Sequence, residues 1–121
     1  MYKTKKSIEK WLSKMDIKNY SLRDNLVDVE GDVDLYGRNL EVIPVQFGIV
    51  KGYFWCSSNN LKSLEGCPKT VGGNFNCFRN NLESLKYLPD IKGELICDDN
   101  LKESEEYCKW KYHFIMNQRN D

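Results

Sequence analysis

The segment GYFWCSSNNLKSLEGCPKTVG (residues 52–72) is followed at once by GNFNCFRNNLESLKYLPDIKG (residues 73–93). This internal repeat constrains the fold more than any other feature, because a period near 20 residues is the signature of a stacked solenoid. With Gly31, Gly52, Gly73 and Gly93 in one column, the steps are 21, 21 and 20 residues. Two positions on stand Val33, Phe54, Phe75 and Leu95, and four positions on stand Leu35, Cys56, Cys77 and Cys97. Arg38, Asn59, Asn80 and Asn100 share the seventh position, and Leu40, Leu61 and Leu82 the ninth. Ile43, Leu64 and Leu85 follow, and Val50, Val71 and Ile91 stand near the end of each unit.

The shared phrase F-x-C-x-x-N-x-L-x-x-L has a physical reading at each place. The F-x-C alternation predicts a short strand with one buried face. Parallel strands need a long return path, which the remaining residues of each unit provide. At Asn59 and Asn80 the chain must turn, and a buried amide there can donate to and accept from the backbone of neighbouring coils. Leu61, Leu64 and their counterparts fill the coil interior, Pro68 and Pro89 stiffen the return, and the glycine column marks tight re-entry into the next strand. The expected fold is an α/β repeat: a short right-handed solenoid of three to four coils with a parallel β-sheet.

Stacked coils expose their core at both ends, so caps are needed. Ile8, Trp11, Leu12 and Met15 follow helical spacing, which predicts an amphipathic helix over residues 5–16 with Thr4 as its N-cap. Residues 25–29 and 32–35 alternate as entry strands. A second helix is expected from Ser104 onward, with Glu105 and Glu106 at its positive end. Tyr107, Trp110 and Phe114 form one apolar stripe on it, and Cys108, Tyr112 and Ile115 an adjacent one. That apolar face is wider than a small cap requires, so self-association through this helix is an alternative to packing. The 121 residues thus divide as one domain, with a helical cap at 1–20, a solenoid at 21–100 and a helical cap at 101–121.

Composition narrows the function classes. The chain is 40% hydrophobic and 30% charged, with 18 basic and 18 acidic residues and no formal net charge. That balance argues against nucleic-acid binding, which needs a basic face. The charge is segregated: residues 1–20 hold six Lys against Glu9 and Asp16, whereas residues 21–50 hold Arg23 and Arg38 against six carboxylates. Such segregation serves a solvated surface as readily as a steering field. No apolar run reaches the roughly 20 residues of a membrane span, and the opening MYKTKKSIEKWLSKM lacks a signal peptide's apolar stretch. A cytoplasmic location and no membrane partner are expected, with the five Cys reduced.

The chemical candidates are few. Cys56, Cys77 and Cys97 form a column about 5 Å apart, where a thiol acts as a small apolar filler more readily than as a metal ligand. Cys67, before Pro68, is expected to be exposed, and Cys108 to pack beneath the last helix. His113 is the sole histidine, remote from the repeated strands, so no triad assembles around it. No phosphate-cradling glycine motif is present, and the carboxylates of DVEGDVD alternate along strands, unlike a calcium loop. No enzyme, metal or cofactor is expected. The strand alternation turns another set outward, onto a concave sheet: Asp32, Asp34 and Tyr36; Tyr53, Trp55 and Ser57; Asn74, Asn76 and Phe78; Glu94, Ile96 and Asp98. Exposed aromatics ringed by carboxylates and amides suit an interface core, with Trp55 and Tyr53 as anchors and the acidic residues selecting a basic patch on a partner protein. A small-ligand or nucleotide site, with rings stacking on a base, is a further alternative, against which the acidic face repels phosphate.

Residues 21–100 resemble short leucine-rich-repeat proteins of the bacterial and bacteriophage type, with coils of about 20–22 residues. The phrases VDVEGDVDLYGRNLEVIPVQFGIVKGYFWCSSNNLKSLEGCP and VGGNFNCFRNNLESL carry the resemblance. In those proteins a leading helix and a V-D-V-x-G-D-V-x-L strand pair precede Cys-containing repeats. The resemblance implies a binding scaffold without catalytic residues, working in a bacterial host cell on a host protein, such as a defence or regulatory factor. Two departures stand out. Arg38 replaces the first Asn, and CDDNL lacks one residue before Leu101, so the fourth coil cannot continue in register.

Overall fold

The structure, a computed structural model, describes residues 1–119. Its order is α1 (Lys5–Lys14), β1 (Tyr20–Arg23), β2 (Leu26–Val29), β3 (Val33–Asp34), β4 (Gln46–Val50), β5 (Phe54–Trp55), β6 (Thr70–Val71), β7 (Phe75–Asn76), β8 (Asp90–Ile91), β9 (Leu95–Ile96) and α2 (Glu105–Arg119). The chain winds as a parallel-sheet solenoid of about three turns with a helix at each end. Each coil contributes one strand to each of two sheets. One sheet runs β3-β5-β7-β9, all parallel, and the other runs β1-β2-β4-β6-β8.

The repeat column sets the register of the four-stranded sheet. Val33, Phe54, Phe75 and Leu95 are neighbours across its strands, as are Asp34, Trp55, Asn76 and Ile96. The first column points inward and is buried throughout. The Phe54 and Phe75 rings stack at 5.8 Å and 12°, and Phe47 meets Phe54 edge-on at 5.1 Å. Those aromatic contacts run up the solenoid axis, so each coil's core is completed by the next.

The turn after each strand is held by the asparagine ladder. Asn59 Nδ2 donates to the carbonyls of Leu35 at 2.8 Å, Cys56 at 3.1 Å and Ser57 at 3.2 Å, while Oδ1 accepts from the N–H groups of Arg38 and Leu40. Asn80 repeats the pattern one coil on, donating to Cys56 and Cys77 and accepting from Leu61. Arg38 has no earlier coil to bond. Its guanidinium instead donates to the carbonyl of Met15 at the end of α1, which ties the cap to the first coil. In the fourth coil the register breaks, and a 3-10 turn, Asp99–Leu101, brings Leu101 into the core. Asp98, rather than Asn100, ends the ladder: its carboxylate accepts from the N–H groups of Arg79 and Asn80, while Asn100 is exposed. Asn100 keeps its repeat position but is taken up in the 3-10 turn, which leaves it at the surface.

In the glycine column Gly52, Gly73 and Gly93 reflect close approach between coils, whereas Gly31 in the first coil faces open space. A Cβ on Gly52 would collide with the Asp32 carboxylate, and one on Gly93 with the Asn74 amide. Gly66 is a different case, with φ of +94° and a Cβ position only 2.6 Å and 2.7 Å from the carbonyls of Ile43 and Val45. That tight turn draws Cys67 into the core, where it is buried rather than exposed as the sequence suggested.

The second sheet goes beyond the sequence reading. Val50, Val71 and Ile91 anchor β4, β6 and β8 inward, and their coils pair there in parallel. At its N-terminal edge lies an unforeseen strand, β1, antiparallel to β2. Arg23 pins it by an ion pair to Asp28 at 3.0 Å, and Asp28 also accepts the Ile49 N–H at 2.7 Å. The Arg23 hydrogen bond holds the Asp28 carboxyl below its ordinary range. A short antiparallel strand, rather than a further parallel coil, thus forms the terminal strand of this sheet.

Both helices form where helical spacing and capping residues predict. Thr4 caps α1 by accepting the Ser7 N–H, and Ile8, Trp11, Leu12 and Met15 are all buried. Ser104 caps α2, accepting the Tyr107 N–H and donating to the Leu101 carbonyl. Tyr107 and Trp110 pack partly against the core, and Phe114 stacks on Trp110 at 5.1 Å. The opposite side of α2 is open, and Cys108 lies there, exposed rather than packed beneath the helix. It is set off by about 100° per residue from the stripe that meets the solenoid. No described helix is long and apolar enough to cross a membrane.

Candidate binding face

The outer face of the four-stranded sheet collects the residues that alternation turned outward. Three columns run across the strands: Asp32, Tyr53, Asn74, Glu94; Asp34, Trp55, Asn76, Ile96; and Tyr36, Ser57, Phe78, Asp98. Trp55 is 37% exposed, Phe78 41% and Tyr36 61%, so neither terminal helix covers these rings. Tyr53 is less open because its ring stacks on Trp55 at 4.2 Å and 23°. Burial first, then the carboxylates of Asp32 and Asp34, push the Tyr53 phenol above its ordinary pKa. Ile96 and Asn76 are half-buried, and Glu94 and Asn74 are exposed.

Ser57 departs from the expectation. It is buried, because beyond Cys56 the chain already turns toward Asn59, and the Ser57 carbonyl accepts from both Gly37 and Asn59.

Several polar members of the face have a structural task. One oxygen of Asp32 accepts the Tyr53 N–H, and one of Asn74 the Glu94 N–H, each at 2.9 Å between adjacent coils. Asp34 accepts the Tyr36 N–H at 2.9 Å and Asn76 the Phe78 N–H at 3.0 Å, so each closes a local turn that aims the next aromatic outward. Those bonds order the rings without neutralising the carboxylates. None of Asp32, Asp34, Glu94 or Asp98 has an ion-pair partner among the described residues. Ion pairs form elsewhere, at Asp16, Asp28, Glu30, Asp90 and Asp99. The face therefore combines rigid aromatic area with uncompensated negative charge.

One basic group stands beside it. The Arg79 guanidinium lies 5.8 Å from the Phe78 ring centre, a contact absent from the sequence reading although the FR pair sits in plain view. A groove of about 1050 Å³ lies elsewhere, between α2 and residues 84–92, lined in part by Leu88, Trp110, His113 and Phe114.

Four of the five thiols are inert by position. Cys56, Cys67, Cys77 and Cys97 are buried and unpaired as disulfides. The Cys67 contact raises the Cys56 pKa, and burial raises those of Cys77 and Cys97. A raised pKa withholds the thiolate that metal binding or nucleophilic attack requires. Among the described residues no three His, Cys, Asp or Glu side chains converge as a metal site.

No family model, curated protein or solved structure matches the chain.

Proposed function

We propose that the protein is a non-enzymatic binding module that captures another protein on the outer face of its four-stranded sheet. The observation that supports this most directly is the set of open rings, Tyr36, Trp55 and Phe78, held among four unpaired carboxylates. Interface centres are rich in such rings, and the acidic surround selects a partner with a basic patch. In line with the resemblance to phage-borne repeat proteins, the partner is a host protein in the bacterial cytoplasm, a defence or regulatory factor, inhibited by steric occlusion. A tagged pull-down from host lysate tests the reading. Wild type retains a protein that Trp55→Ala releases, with a loss of about tenfold or more in affinity, as expected for a central Trp. Equal recovery by both refutes this face.

A second reading follows from the open side of α2, where Tyr112 is 62% exposed and Ile115 42%. These residues would join two copies. Light scattering that shows a stable oligomer, dispersed by Ile115→Asp, would favour self-assembly over host-protein capture.

A further inference from the structure

Strand β8 is the last strand of the five-stranded sheet, and its residues line the groove beneath α2. Its pairing is one-sided. The N–H groups of Asp90 and Lys92 donate back to the carbonyls of Lys69 and Val71, at 2.9 Å and 3.0 Å. Backbone groups alternate in direction along a strand, so the N–H and C=O of Ile91, between those two residues, turn to the far side. The C=O of Pro89 turns with them. One coil back the equivalent carbonyls, those of Lys69 and Val71, are the ones β8 occupies, since Thr70 and Val71 stand opposite Asp90 and Ile91. At β8 the same set has no partner among the described residues, because no strand follows. Pro89 and Ile91 are otherwise buried, and both line the groove.

The groove has room for a length of chain. Its volume is about 1050 Å³, comparable to the largest ordinary ligand pockets. Trp110 and Phe114 give it an apolar wall on α2, with Leu88 on the solenoid side. Trp110 Nε1 is itself buried without an acceptor among the described residues. The charged lining is unequal. Lys92 is paired with Asp90, which leaves Lys86 and Lys109 against Glu106 alone.

We infer that this groove binds an extended, acidic peptide segment of a partner protein as a further parallel strand on β8. Two peptide N–H groups, two residues apart, reach the carbonyls of Pro89 and Ile91, as Asp90 and Lys92 reach those of Lys69 and Val71. A peptide carbonyl accepts the Ile91 N–H. Strand addition of this kind draws affinity from main-chain bonds and selectivity from side-chain pockets. Here an apolar side chain of the segment enters between Leu88 and the Trp110 and Phe114 rings, and its flanking carboxylates meet Lys86 and Lys109. The site is independent of the face that carries Trp55, which belongs to the other sheet.

The test is an NMR titration of the full chain with acetyl-Glu-Val-Leu-Val-Glu-amide. The peptide is expected to shift the Ile91 amide and the Trp110 indole N–H saturably and to slow exchange of the Ile91 amide. Two versions N-methylated at alternate residues separate strand pairing from side-chain contact alone. One of them loses about tenfold or more in affinity, because only one set of its N–H groups meets β8 and about two hydrogen bonds go unmade. The version with lysine at both ends binds several-fold more weakly than the parent, and Lys109→Glu, at an exposed position, narrows that preference. Trp55→Ala leaves the parent peptide's affinity unchanged. An unprotected Ile91 amide at saturation, equal binding of both N-methylated versions and the parent, or equal binding of the lysine version would each overturn the inference. So would an Ile91 amide protected without peptide and more so at higher protein concentration, which would assign the edge to a second copy of the chain.

Discussion

Asn59, Asn80 and Asn100 occupy the same repeat position, yet the structure gives them unequal work. Asn59 is buried and serves five backbone groups: the carbonyls of Leu35, Cys56 and Ser57, and the N–H groups of Arg38 and Leu40. Asn80 is half-buried and serves three, and Asn100 is exposed with no ladder bond. Each buried backbone group left without a partner costs about 1–3 kcal/mol, less where water can reach it. Asn59→Ala is therefore expected to lower the unfolding free energy by about 3 kcal/mol or more, Asn80→Ala by less, and Asn100→Ala by under about 0.5 kcal/mol. Urea denaturation measures all three, and any other order would contradict the ladder as described. The roles of Asn59 and Asn80 were legible from the sequence because a turn out of a buried strand needs a donor–acceptor side chain. The idleness of Asn100 was legible only in part. The shortened CDDNL announces a break, but which oxygen replaces the amide depends on where the backbone goes afterward, and Asp98 shares no column with the other ladder residues.

Periodicity explains which elements were legible. The strands β5, β7 and β9 recur with the Phe or Leu, the Cys and the Asn of each unit, so one inward set implies the others. Beyond β4, the second sheet is marked by a single apolar residue per coil, Val71 or Ile91, which is too little for alternation to register. Strand β1 has no repeat counterpart, and its place depends on the Arg23–Asp28 pair meeting across a turn. For the binding face, alternation found Trp55 and its neighbours. It could not show that Asp32, Asp34, Asn74 and Asn76 also hold backbone N–H groups, since those bonds join residues whose spacing is set by winding and turn geometry. The two helices differ in the same physical terms. Helix α1 is sewn in by four buried side chains and by Arg38, whereas α2 rests on the partly buried Tyr107 and Trp110 and on its Ser104 cap. Ser104→Ala removes the acceptor for Tyr107 and the donor to Leu101, a loss of about 1 kcal/mol for a cap of this kind. That loss should remain local. Hydrogen exchange is expected to speed up by about fivefold across the first turns of α2, with the amides of β5 and β7 unchanged. Equal acceleration in both regions would mean that α2 and the coils unfold together.

Across the whole molecule the thiols form a connected interior feature with one exception at the surface. Cys56, Cys67, Cys77 and Cys97 are buried, and Cys108 is exposed. A thiol reagent at pH 8 should therefore modify one thiol quickly in the native protein and all five in urea, and a second fast thiol in the native state would contradict the packing. The same burial makes stability depend on alkaline pH. In the folded state the Cys67 contact and burial raise the Cys56 pKa, burial raises that of Cys77, and Cys97 moves the same way at the end of the column. In the unfolded chain each returns to about 8.5. Below that value both states hold their protons and the thiols leave stability independent of pH. Above it the unfolded chain releases protons that the folded chain retains, so unfolding becomes progressively easier as pH rises toward the folded pKa values. Each fully protected thiol contributes a decline of up to about 1.4 kcal/mol per pH unit in that window. The urea midpoint is accordingly expected to hold steady from pH 7 to about 8.5 and then to fall. Cys77→Val removes one titrating group from the centre of the column while keeping it apolar, so its decline above pH 8.5 should be shallower than that of wild type by about one proton's worth. Parallel curves for the two proteins would mean that Cys77 titrates freely in the folded state, which a side chain sealed between successive coils cannot do.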